Sequence, residues 1–122
     1  VLISLAGMVN TAAFVEREFS EVTPGVGAMW DELSCPLSQA YVDDLMQIDN
    51  TLAAANELCL PYLLLHGKDD DVVPISDSQD LMKSLREPSH LVEIDGAEHS
   101  FEGHYDQLAC EICDWLSKYF KA

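Results

Sequence analysis

Residues 61–74 read PYLLLHGKDDDVVP, from Pro61 to Pro74. The first six residues are a continuous apolar run, closed in front by Pro61 and behind by Gly67. Such a run is too short for a helix and has no polar alternation. It predicts a strand buried on both faces, which is the pattern of a parallel sheet. Three consecutive acids, Asp69, Asp70 and Asp71, follow at once and place a charged loop at the strand's carboxyl end.

The pattern continues on both sides of this stretch. Ser76–Leu85 predicts a short helix with Leu81, Met82 and Leu85 on one side. Ser89–Ile94 (SHLVEI) predicts a second strand, stopped by Asp95-Gly96. Asp106–Phe120 carries Leu108, Ile112, Trp115, Leu116, Tyr119 and Phe120 at helical spacing and predicts the strongest helix. Upstream, Tyr41, Leu45, Ile48, Leu52 and Ala55 recur at steps of four and three. They predict one helix over Ser38–Leu58. Val1–Ala6 predicts a further strand, stopped by Gly7. Met8–Pro36 shows no clean period and reads as an excursion from the sheet, with a turn at Thr23-Pro24-Gly25.

Strands alternating with helices predict an α/β fold with a parallel sheet. Three strands make a narrow sheet, and one edge of strongly apolar strands would stand open. That edge, and a chain opening on a strand at Val1, lead us to expect a missing N-terminal half of the same domain.

In open parallel sheets, functional groups collect beyond the carboxyl ends of the strands. Two predicted strand ends carry chemistry here. One leads into Asp69-Asp70-Asp71; the other leads into Gly96-Ala97-Glu98-His99-Ser100-Phe101. A right-handed crossover through the intervening helix sets the two tips side by side. An acid and an imidazole can then meet across neighbouring loops. Imidazole suits proton transfer in both directions near neutral pH.

Both stretches resemble motifs of the α/β-hydrolases. HGKDDDVVP is similar to the HGxxDxxVP pattern that follows the seventh strand of many such enzymes. GAEHSF is similar to their GAxHxF pattern after the last strand. The resemblance runs in detail from Pro61 to Phe120. It is nearest to the cinnamoyl/feruloyl-esterase-like serine hydrolases and more distant from the prolyl-oligopeptidase type. It implies the C-terminal portion of an α/β-hydrolase fold, with three parallel strands, flanking helices and a lid-like insertion. Residues 1–7 would be a strand, 8–60 the lid-like insertion and a helix, and 61–122 the strand-helix-strand-helix part. Apolar Phe14, Phe19, Met29, Trp30 and Leu33 would belong to that lid. By position in the motifs, Asp70 is the triad acid and His99 the general base. His66 is read as shaping the turn with Gly67, His104 as a surface residue and His90 as structural.

The chain departs from the family at one point: it has no GxSxG, the motif of the nucleophile elbow. The oxyanion hole, built from the residue after the nucleophile and an earlier loop, is absent with it. Neither Ser4 nor Ser100 lies on a strand-to-helix elbow. The expected function is therefore hydrolysis of carboxylic esters by a serine hydrolase, with this chain supplying the Asp and the His. The alternatives are a non-catalytic remnant or binding module of the same fold, or a peptidase or thioesterase of the superfamily.

The remaining composition narrows the partners. A formal net charge of −16, from 22 acidic and six basic side chains, repels polyanions. Nucleic acid and anionic membranes are poor partners for such a surface, whereas a small neutral ester is compatible with it. Cys35, Cys59, Cys110 and Cys113 form no disulfide framework. The Cys110-x-x-Cys113 pair falls inside the terminal helical pattern and reads as structural, since a zinc site needs more ligands. No metal or organic cofactor is expected. Reduced thiols and no targeting segment lead us to expect a cytoplasmic location.

Overall fold

A computed structural model describes residues 1–120. Three strands form one parallel sheet in the order β1-β2-β3: β1 (Leu2–Leu5), β2 (Tyr62–Gly67) and β3 (Ser89–Ile94). The register aligns Leu2 with Tyr62 and Tyr62 with Ser89. Among the described residues there are five α-helices: α1 (Thr11–Phe19), α2 (Gln39–Ile48), α3 (Leu52–Asn56), α4 (Ile75–Ser84) and α5 (Tyr105–Tyr119). The chain divides into two compact units. One comprises Val1–Val9 and the described residues from Leu52 onward; the other is Asn10–Thr51.

The sheet unit is organised by β2. All six of its residues are buried, which follows from its central place between two neighbours. Side chains alternate across a strand, so the apolar run of β2 feeds two cores. Leu63 and Leu65 join Ala6, Ile94, Ala97, Phe101, Leu108 and Trp115 on the α5 side. Tyr62 and Leu64 join Val9, Ala55 and Leu81 on the side of α3 and α4. Burial pushes the Tyr62 phenol upward, partly offset by a hydrogen bond with the Ser4 side chain. On the outer side of β1, Val1, Leu2 and Leu5 are exposed, and no described strand pairs with that edge.

In the second unit, α1 and α2 pack together. The Thr11 hydroxyl donates to the Leu45 carbonyl at 2.7 Å, and the Ala12 amide donates to the Asp49 carbonyl at 3.1 Å. Ser38 caps α2, its hydroxyl accepting from the Tyr41 amide at 3.1 Å. The Trp30 indole donates to a Glu18 carboxylate oxygen at 2.9 Å, and its ring lies 5.3 Å from that of Phe19.

Two expectations need correction. Met8–Pro36 is not free of regular structure, because α1 occupies Thr11–Phe19. Thr11, Phe14, Val15 and Phe19 are buried and fall at steps of three, one and four, a helical stripe short enough to be lost among the acids around it. The single helix over Ser38–Leu58 is instead α2 and α3, interrupted at Asp49, Asn50 and Thr51. Asp49 takes a positive φ of 61° and closes α2 by donating its amide to the Leu45 carbonyl. The apolar stripe runs through the break because its halves serve different cores: Leu45 is buried in the second unit and Ala55 against the sheet. The other elements match their predicted spans to within one or two residues.

Candidate active site

The carboxyl ends of β2 and β3 bring the two predicted residues together. After Gly67 the chain turns. The Lys68 amide donates to the Ile94 carbonyl at 3.0 Å, and the Asp69 amide donates to the Ala97 carbonyl at 3.0 Å. These bonds lock the two strand tips side by side. The Lys68 ammonium also meets Asp95 at 2.7 Å, and this hydrogen bond and charge raise the Lys68 pKa.

Asp70 follows with its side chain fully buried. Its Oδ1 accepts from the backbone amides of Val72 at 2.9 Å and Val73 at 2.8 Å. Two rigid donors fix the carboxylate plane. Oδ2 faces His99, whose Nδ1 lies 2.9 Å away. An ionised carboxylate only accepts, so Nδ1 carries the proton of this bond. Nε2 is then the basic nitrogen of the ring, on a side chain that is 43% exposed. Asp69 and Asp71 are exposed, and it is Asp70 that bonds to His99.

The loop holding His99 is anchored by Phe101. That side chain is buried in the core beside α5 although its backbone has a positive φ of 56°. A bulky residue avoids this conformation unless its surroundings hold it. Here burial of the ring and the bond from the Phe101 amide to the Glu98 carbonyl at 3.0 Å do so.

The other sequence candidates lie elsewhere or act locally. His104 Nδ1 is 3.0 Å from the Glu102 carbonyl. His90 is exposed and stacks on Trp115. Ser4 sits within β1, and Ser100 is exposed beside His99. Cys110 and Cys113 are free and exposed on α5. A cavity of about 350 Å³ is lined by Ser89, His90, Trp115 and Tyr119 among others; it includes neither Asp70 nor His99. Among the described residues no helix is long and apolar enough to cross a membrane.

His66, read as shaping the turn with Gly67, bonds across that turn to the Val73 carbonyl and also touches Asp70. It is fully buried, and its Nε2 lies 3.2 Å from Asp70 Oδ2. Its position four residues before Asp70 in HGxxD was the available signal, masked by the apolar strand around it.

The family described as serine aminopeptidase, S33, matches residues 35–104. Two curated relatives, both named uncharacterized protein YfhR, come from Salmonella typhi and Salmonella typhimurium. Each is 35% identical over 75 residues, which are 60% of this chain and 25% of the relative. The chain thus spans only part of the length of the curated relatives it matches. Among solved structures, the esterase domain of a Rhodothermus marinus protein superposes with a TM-score of 0.70. It is 20% identical and covers 96% of this chain and 50% of that one. Est1E from Butyrivibrio proteoclasticus gives 0.68 at 23% identity, covering 80% and 39%. A monoacylglycerol lipase from Paleococcus ferrophilus gives 0.58 at 20% identity, covering 95% and 57%. At these identities the likeness establishes the fold.

Proposed function

Because the chain belongs to the serine aminopeptidase family of α/β-hydrolases, we propose that it supplies the acid and base of a serine hydrolase acting on small carboxylic esters. The observation that carries this reading is the bond from His99 Nδ1 to the buried Asp70 carboxylate at a strand-tip crossing. The nucleophile belongs to a segment upstream of Val1 in a longer protein. Three facts support that placement. The 122 residues contain no GxSxG. The matched relatives and structures are longer. The outer edge of β1 exposes Val1, Leu2 and Leu5, where further strands of the domain would add.

In this mechanism His99 Nε2 takes the proton of the serine hydroxyl as its oxygen attacks the ester carbonyl. The ring becomes an imidazolium, and the Asp70 carboxylate stabilises it through Nδ1. His99 then returns the proton to the departing alkoxide oxygen as the carbonyl–oxygen bond breaks. In the second half, His99 takes a proton from water, which attacks the acyl-enzyme, and the serine leaves with that proton. The anionic surface suits a neutral substrate, and the residues 10–51 unit sits in the sequence where such enzymes insert a lid. Esters are preferred over peptides because several of the similar solved structures carry esterase and lipase names; a puromycin hydrolase among them and the family's aminopeptidase description support the peptidase alternative.

The test is to express the 122-residue chain and the upstream-extended protein side by side. Each is assayed with a chromogenic short-chain ester, a thioester and an aminoacyl anilide. We expect turnover of the ester by the extended protein and none by the chain alone. Preference for the anilide would replace the esterase reading with a peptidase one. No turnover by the extended protein would favour a binding module.

A further inference from the structure

We infer that His66 is a positioning residue of the acid–base pair, holding the Asp70 carboxylate from beneath while His99 engages it from the solvent side. This inference rests on the reading of Asp70 and His99 given above. His66 is wholly buried at the end of β2, and each ring nitrogen has a defined partner. Nε2 lies 2.9 Å from the Val73 carbonyl oxygen and 3.2 Å from Asp70 Oδ2. Nδ1 lies 2.6 Å from the Ser78 hydroxyl, itself buried in α4. A carbonyl oxygen can only accept, and so can a carboxylate. Nε2 must therefore carry a proton, donated to the Val73 carbonyl, with the Asp70 carboxylate in contact beside it. In the neutral ring, Nδ1 is then the acceptor, and the Ser78 hydroxyl donates to it. The Val73 carbonyl thus sets the tautomer of His66, as Asp70 sets that of His99, and the Ser78 hydroxyl complements it.

The consequence falls on Asp70. Its Oδ1 is held by two backbone amides, and its Oδ2 by His99 with the His66 ring in contact at 3.2 Å. With three hydrogen bonds and this contact made, the carboxylate cannot rotate about its side-chain bond without losing several at once. If His66 is replaced by an apolar residue, Oδ2 keeps only His99, the buried Val73 carbonyl loses its donor, and Asp70 loses the polar N–H contact beside it. The carboxylate is then free to tilt, and His99 tilts with it. A displacement of this kind affects the rate of proton transfer far more than substrate binding.

The discriminating substitution is His66→Gln against His66→Leu, made in the extended protein. The glutamine amide nitrogen reaches the place of imidazole Nε2 and can donate to Val73 and Asp70; leucine cannot. We expect His66→Leu to lower kcat by about 10- to 100-fold with KM held within about twofold, and His66→Gln to recover most of the loss. Equal losses in both variants, or none in His66→Leu, would overturn the inference. Since a buried histidine is also a packing residue, a measurement without substitution stands beside this. Long-range ¹H–¹⁵N spectra of the unsubstituted protein report the tautomer of each histidine. We expect His66 to be protonated at Nε2 and bare at Nδ1; the opposite tautomer would overturn the inference by itself. A His99→Ala arm separates the two claims. If His99→Ala keeps ester turnover, the acid–base reading fails. If it abolishes turnover while His66→Leu does not lower kcat, the role of His66 alone fails.

Discussion

In the extended protein, Asp70→Asn lowers kcat for ester hydrolysis by about 10⁴-fold. The size follows from the pattern of donors around this side chain. Oδ1 faces the amides of Val72 and Val73, while Oδ2 faces His99 and His66. An asparagine has one oxygen and one NH₂ to place in these two positions. Backbone amides cannot stop donating, so the oxygen must stay with Val72 and Val73. The NH₂ group then points at His99 Nδ1 and forces that nitrogen to accept. The ring changes tautomer, Nε2 becomes protonated, and no lone pair remains for the serine proton. Backbone and packing change little, so the circular dichroism spectrum should be retained. Asp69→Asn and Asp71→Asn act as controls. Both side chains sit in exposed residues, where charge is screened by water and salt, and kcat should stay within about threefold. A large loss from Asp71→Asn with activity kept in Asp70→Asn would show the wrong acid had been chosen. Steady-state kinetics at saturating ester check all three.

The second large effect is expected from Gly67→Ala, although Gly67 carries no chemistry. A Cβ built there would overlap the Ala97 carbonyl oxygen and stand 2.7 Å from its carbon. The obstacle is backbone, so no rotamer change relieves it. The turn after β2 and the turn after β3 must separate, and with them the bond from the Asp69 amide to the Ala97 carbonyl. Overpacking of this kind costs about 3 kcal/mol. Asp70 lies three residues beyond Gly67, and His99 two beyond Ala97. The same displacement therefore opens the 2.9 Å contact between them. Misplacement by about 1 Å lowers kcat about 100-fold. Gly103→Ala provides the comparison. Gly103 has a φ of 79° and open space around its missing Cβ, so alanine there costs only backbone strain, about 1–2 kcal/mol. Its kcat should be preserved. Urea unfolding and kcat measured on both variants distinguish the cases; full activity in Gly67→Ala would remove the close approach as a determinant of the site.

What could be read from the residues follows from burial. The strands β2 and β3 were legible because a strand covered on both faces leaves an uninterrupted apolar run, and PYLLLH is such a run. The pairing of Asp70 with His99 was expected from the parallel order, since both lie just beyond neighbouring strand ends. Helix α1 was hidden because Thr11, Phe14, Val15 and Phe19 make a stripe of barely two turns next to acidic sequence. The break between α2 and α3 was hidden for the opposite reason. Its stripe continues in period across Asp49, and only a positive φ reveals that the chain has turned. His66 was undervalued because an imidazole inside an apolar strand looks like a satisfied core residue. Its contact with Asp70 becomes visible only when the turn folds back beneath the strand end.

Asp70 and His99 are proposed to serve a serine lying outside these 122 residues. The measurement that tests this most directly is the site of covalent labelling by a fluorophosphonate, which reacts with an activated serine. The extended protein is labelled, digested and mapped by peptide mass spectrometry, with and without His99→Ala. One adduct is expected, on a serine upstream of Val1, lost when His99 is replaced. An adduct on Ser4, Ser100 or any other serine of this chain, or an upstream adduct indifferent to His99, would contradict that role.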